Sequence, residues 1–162
     1  MITSKRNSNF RVLVVDDEQE FVSTLVKRLA RRGVICESAF TGAQAIETLK
    51  IKDFDVMLLD MKLPDSDGKD VLREAKKLKP EIQVVILTGH ISAKDGLEGR
   101  GFGAHDYLMK PVEFESLLES LQKAHVNKGI CAHKDTLDKN EQEEQGSSTT
   151  NINHDVRRKE RQ

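Results

Sequence analysis

Three short stretches of this chain, "VLVV" (12–15), "DVMLL" (55–59) and "IQVVIL" (82–87), are apolar at nearly every position. A strand packed on one face alternates apolar and polar residues, so unbroken runs predict strands covered on both faces. Between them the period changes. Phe21, Leu25 and Leu29, joined by Val22 and Val26, recur at helical spacing, and Gly33 is placed to stop that helix. "VICESA" (34–39) reads as a weaker strand, with Thr41 as N-cap for the helix "GAQAIETLK". Val71, Leu72, Ala75 and Leu78 line a third helix before Pro80, "YLM" (107–109) reads as a last strand, and Phe114, Leu117, Leu118 and Leu121 mark the helix after it. Five strands alternating with five helical segments imply an α/β fold: an open, doubly wound, five-stranded parallel sheet with helices on both faces. A (β/α)₈ cylinder would need more units than residues 10–128 supply.

Composition matters mainly at the ends. Residues 1–9 form a polar extension with no apolar run behind Lys5 and Arg6, so no signal peptide is expected, and no stretch suggests a membrane span. From Ile130 onward the only aliphatics larger than Ala are Ile130, Leu137, Ile152 and Val156, so 129–162 is expected to be a disordered tail without an output domain. Lys and Arg total 26 against 27 Asp and Glu, which gives no bulk attraction for nucleic acid. "RRK" (157–159) sits among tail acids and reads as a solvated end. Cys36 and Cys131 make no disulfide framework, and the cytoplasm is the expected compartment. The histidines at 90, 105, 125, 133 and 154 show no metal-ligand spacing and read as solvated side chains.

Ligands of open α/β sheets bind beyond the carboxyl ends of the strands. Asp16 and Asp17 follow the first strand, Asp60 follows the third, Thr88 and Gly89 the fourth, and Lys110 the fifth. Taken singly, each has an ordinary reading: an Asp as helix cap, Thr-Gly as a turn, Lys-Pro as a solvated loop. Together they place three carboxylates, a hydroxyl and an ammonium on one sheet edge. Crowded carboxylates need protons or a cation, and Asp oxygens suit Mg²⁺ better than zinc. A carboxylate near Mg²⁺ can attack phosphorus, while hydroxyl and ammonium share the phosphoryl charge.

"VLVVDDE", "VMLLDMKLPDSDG", "VVILTGH" and "HDYLMKPVE" together resemble the receiver domain of two-component response regulators, over about Phe10 to Val126. The resemblance implies a flavodoxin-like sheet of order 2-1-3-4-5. It implies Asp60 as phosphoacceptor, and Asp16, Asp17 and Asp60 as Mg²⁺ ligands with the backbone carbonyl of Lys62, Mn²⁺ being a substitute metal. Thr88 would be the hydroxyl that follows the phosphoryl group, Lys110 its ionic partner, and Tyr107 the switching aromatic. Lys62 and His90 would flank the path of water in dephosphorylation, and Lys110–Pro111 would be cis.

The resulting expectation is a stand-alone, phosphorylation-switched signalling protein, not a conventional enzyme, that catalyses its own phosphorylation and slow self-dephosphorylation. Its donor would be a sensor histidine kinase or phosphotransfer protein. The surface around the fourth helix, fifth strand and fifth helix would engage an unknown downstream protein, with no DNA or membrane bound by the domain itself. A Mg²⁺-dependent phosphatase with an Asp nucleophile is the rival, but it wants a second acid where Lys62 stands. A phosphate-independent adaptor would not need the acid–Thr–Lys set. Gly96, Gly99 and Gly101 fall inside the expected fourth helix (92–103), each costing roughly 1 kcal/mol, so phosphorylation is expected to order that helix as Tyr107 turns inward.

Overall fold

The computed structural model describes residues 9–89 and 103–145, with side chains through residue 130. Strands β1 (Arg11–Val15), β2 (Ile35–Ala39), β3 (Val56–Leu59), β4 (Gln83–Thr88) and β5 (Asp106–Met109) form one parallel sheet in the order β2-β1-β3-β4-β5. Helices α1 (Gln19–Ala30), α2 (Gly42–Ile51), α3 (Gly68–Leu78) and α4 (Phe114–Gln145) accompany them. Of the helix expected over 92–103, residues 92–102 lie outside the described residues, and Gly103 sits in a turn with φ +88°.

The sheet divides its apolar runs between two cores. Val12, Val14, Val56, Leu58, Val85 and Leu87 face one way, onto α1 and α4 through Leu25, Leu29, Leu117 and Leu121. Leu13, Val15, Met57, Leu59, Val84 and Ile86 face the other way, onto α2 and α3 through Ala45, Leu49, Leu72 and Ala75. Period-two alternation thus serves both faces, which is why the runs are unbroken. Each large aliphatic buried this way contributes about 1.5–3 kcal/mol.

Local signals act where the sequence places them. Thr41 Oγ1 accepts from Gln44 N–H at 3.1 Å as the N-cap of α2. Asp67, not an expected cap, accepts from Lys69 N–H at 2.8 Å and starts α3. Gly33 takes φ +81°, a left-handed conformation, and the chain turns back so that Val34 N–H reaches Leu29 O at 3.2 Å.

Two expectations differ from the structure. The last helix does not stop near Lys128 but runs to Gln145, through residues expected to be disordered. That expectation rested on the lack of core-forming residues, whereas residues 130–145 include three Glu, two Gln and two Lys, all good helix formers, and lack proline and glycine. His125 is not a solvated side chain: its ring stacks on Phe10 with centroids 4.8 Å apart, and its Nδ1 is buried.

Candidate functional site

The sheet register carries the site. Val15 pairs with Leu59, Leu59 with Ile86, and Thr88 with Met109, so the residues just beyond these pairs stand in a row at one edge. Backbone hydrogen bonds extend the ladder one step to hold them. Asp16 N–H donates to Ala39 O at 3.1 Å, Asp60 N–H to Val15 O at 2.9 Å, and Lys110 N–H to Thr88 O at 2.9 Å.

Asp16, Asp17 and Asp60 each turn a carboxylate oxygen to within 4.8 Å of the others'. Asp16 and Asp60 are buried and Asp17 is exposed. Neither Asp16 nor Asp17 caps α1; its N-cap is Glu18, whose side chain makes no capping bond. Asp16 Oδ1 instead accepts from Glu18 N–H at 2.9 Å, turning the chain into the helix, and Asp60 Oδ1 accepts from Lys62 N–H at 3.1 Å.

The ammonium of Lys110 enters this group from β5. It lies 2.6 Å from Asp16 Oδ2, 3.0 Å from Glu18 Oε1 and 3.5 Å from Asp60 Oδ2, with its side chain only 16% exposed. The Phe21 ring lies beneath it, 4.6 Å from Nζ to centroid, a favourable cation–π contact. Burial alone would lower the Lys110 pKa, but hydrogen bonds to Asp16 and Glu18 outweigh it and hold the ammonium above its ordinary value. Burial pushes the Asp16 carboxyl up despite the opposing pull of Lys110 and Glu18 N–H. Lys110 therefore keeps its proton, yet one ammonium among these carboxylates leaves the pocket net negative. Oxygen-only donors at such separations, with no His or Cys among them, fit a small hard divalent cation.

Thr88 is buried at the end of β4. Tyr107 is half-buried on β5, opposite Ile86 in the register and packed against the α2–α3 core. Lys62 has an exposed side chain on the loop after Asp60, and the backbone there forms an antiparallel bridge with Asp67. His90 lies outside the described residues. Glu18 and Phe21 were missed as partners of Lys110: Glu18 drew no reading of its own, and Phe21 was read only as part of the apolar face of the first helix.

The sequence profile described as the response regulator receiver domain matches residues 12–122. The chain belongs to this family. The Escherichia coli (strain K12) transcriptional regulatory protein ZraR is 35% identical over 132 residues, which cover 82% of this chain and 29% of ZraR. The chain thus spans less than a third of that relative. A solved CheY-like receiver domain protein from Methanospirillum hungatei JF-1 superposes with a TM-score of 0.73 at 30% identity, covering 76% of this chain and 98% of the other. A Burkholderia pseudomallei response regulator solved with a phosphorylated aspartic acid, calcium ion and citrate gives a TM-score of 0.67 at 28% identity, covering 80% of this chain and 75% of the other.

In this receiver domain the Lys110–Pro111 bond is cis, as the resemblance implies. Among its described residues no helix is long and apolar enough to cross a membrane.

Proposed function

We propose that this receiver domain is a phosphorylation-switched signalling module in which Asp60 accepts a phosphoryl group from the phosphohistidine of a sensor kinase or phosphotransfer protein. The observation that carries this reading is the meeting of the Asp16, Asp17 and Asp60 carboxylates within 4.8 Å, with Lys110 reaching into them. An Asp60 oxygen attacks phosphorus, the P–N bond breaks with its electron pair going to nitrogen, and the ring, protonated on its other nitrogen, leaves as neutral imidazole, so one phosphoryl group passes from donor to Asp60. Asp16, Asp17, Asp60 and the Lys62 carbonyl would hold Mg²⁺, or Mn²⁺ in its place. Bound there, the metal supplies positive charge that offsets the carboxylates and the phosphoryl oxygens. Lys110, already protonated at the pocket, offers a second cation to those oxygens, and Thr88 a hydroxyl donor. The Burkholderia relative with its phosphorylated aspartic acid supports the same chemistry here.

Thr88 and Tyr107 stand on adjacent strands, β4 and β5, so a change at the acceptor can reach the β5 and α4 surface where a downstream protein would dock. Intact mass after incubation with Mg²⁺ and acetyl phosphate tests the reading. The wild-type chain should gain one phosphoryl group, removed by base and absent without the metal. Asp60→Asn, nearly isosteric, should stay folded and gain none; labelling of that variant at another residue would overturn the assignment.

A further inference from the structure

The loop from Asp60 to Gly68, between β3 and α3, is wound tightly on itself. Gly68 N–H donates to Met61 O at 2.9 Å, and Lys62 and Asp67 form an antiparallel bridge. A Cβ added at Gly68 would fall 2.6 Å from Met61 Cα and 2.9 Å from Asp60 O, so this closure tolerates no side chain there. A loop closed this way has little room to deform internally, which ties it to the Asp60–Lys62 backbone.

One carboxylate joins this loop to α2. Asp65 Oδ1 accepts from Gly42 N–H at 2.8 Å and Oδ2 from Ala43 N–H at 2.9 Å, both in the first turn of the helix. These two donors lack partners within a helix, and a carboxylate at a helix N-terminus is favoured by charge as well. The Ala43 and Gly42 N–H groups hold the Asp65 carboxyl below the usual carboxylate range. Contact is close: a Cβ at Gly42 would stand 2.0 Å from Ser66 Oγ and 2.8 Å from Val71 Cγ2. The N-cap of α2 is already filled by Thr41 on Gln44 N–H, and Ala43 is exposed, so water could serve its N–H. What Asp65 adds that water could not is a fixed position of the loop relative to α2.

We propose that Asp65 is a positioning residue: its two-point clamp on α2 fixes the loop that carries Lys62, whose N–H donates to Asp60 Oδ1 and whose carbonyl the reading above assigns to the metal, and so links α2 to metal occupancy of the site. The inference rests on the phosphoacceptor reading above and adds a residue that does not touch the reacting atoms. Asp65→Asn keeps the size but offers one acceptor oxygen and an amide that cannot accept from the second N–H.

Mg²⁺ titration of the full chain, followed by backbone amide NMR, tests it. In the wild type the Lys62, Gly42 and Ala43 amides should shift with one midpoint. In Asp65→Asn the Lys62 midpoint should rise about tenfold, and the Gly42 and Ala43 amides should lose their response. Labelling by acetyl phosphate should slow at low Mg²⁺ and recover at saturation. Thr41→Ala, which removes the N-cap of the same helix without touching the loop, should leave the midpoint where it was. An unchanged midpoint in Asp65→Asn, or an equal shift in Thr41→Ala, overturns the clamp alone. A wild-type chain that neither responds to Mg²⁺ nor labels on Asp60 overturns the phosphoacceptor reading and the clamp with it.

Discussion

The Lys110 ammonium lies 2.6 Å from Asp16 Oδ2, joining two nearly buried side chains from strands at separate positions in the sheet. Removing one partner of such a pair strands the other charge, while removing both does not. Lys110→Met should therefore destabilise the metal-free domain by about 3 kcal/mol in urea unfolding. Saturating Mg²⁺ should return part of that loss, because a cation that binds only the folded state stabilises it. The double variant Asp16→Asn/Lys110→Met should be more stable than Lys110→Met alone. A single variant as stable as wild type in metal-free buffer would show that the contact contributes nothing.

Much of this pocket could be read from the chain because each member directly follows an apolar run, and a parallel sheet brings such positions to one edge. Asp16, Asp60 and Lys110 needed no knowledge of packing. Glu18 did: whether its side chain turns outward or toward Lys110 depends on where β5 lies, 92 residues away. Asp65 was equally hidden, since nothing in "LPDSDG" says that its carboxylate reaches α2. Asp55 looked like the first residue of a strand, yet it caps the sheet edge with its side chain. Helix beyond Lys128 was missed because a lack of core-forming residues argues against burial, not against helix.

Asp55 accepts from Arg11 N–H at 2.8 Å through Oδ2 and from Lys128 Nζ at 3.0 Å through Oδ1, tying α4 to the sheet. Burial would raise its pKa, but the Arg11 N–H and Lys128 prevail and hold it below the ordinary range. A carboxyl depressed in the folded state stabilises above its unfolded pKa and loses that contribution as pH falls through the folded value. Wild type should exceed Asp55→Asn by about 1 kcal/mol at neutral pH. The gap should close below about pH 4, beneath the unfolded pKa of a carboxyl. Urea titrations of both proteins across that range measure it; a gap constant with pH would remove the ionised carboxylate from the account.

Cys36 is half-buried on β2, and burial pushes its thiol pKa up to about 12. Thiolate is the reactive form, and a free cysteine titrates near 8.5, so the folded chain should carry roughly three thousandfold less thiolate at Cys36. In a Cys131→Ser background, where Cys36 is the remaining thiol, alkylation at mildly alkaline pH should be at least about a hundredfold slower folded than in denaturant. Similar rates in the two states would place the thiol in solvent.

Gly129 lies inside α4, one residue past Lys128, whose ammonium reaches Asp55 and the Phe54 carbonyl, 3.0 and 3.1 Å away. Upstream of that anchor the helix packs through Leu117, Leu118 and Leu121. Beyond it the helix runs on to Gln145, and a glycine inside a helix is a weak link. Its φ is not left-handed and a Cβ there meets nothing within 4 Å, so alanine fits without strain. Gly129→Ala should stabilise the distal helix by about 0.5–1 kcal/mol, chiefly by restricting the unfolded segment. Amide exchange past residue 133 should then slow about two- to fivefold, the rate equivalent of that free energy. Thermal unfolding of the domain should change little, because its core lies upstream of Lys128. Distal amides that exchange at random-coil rates in both proteins would show that the helix ends at its anchor in solution.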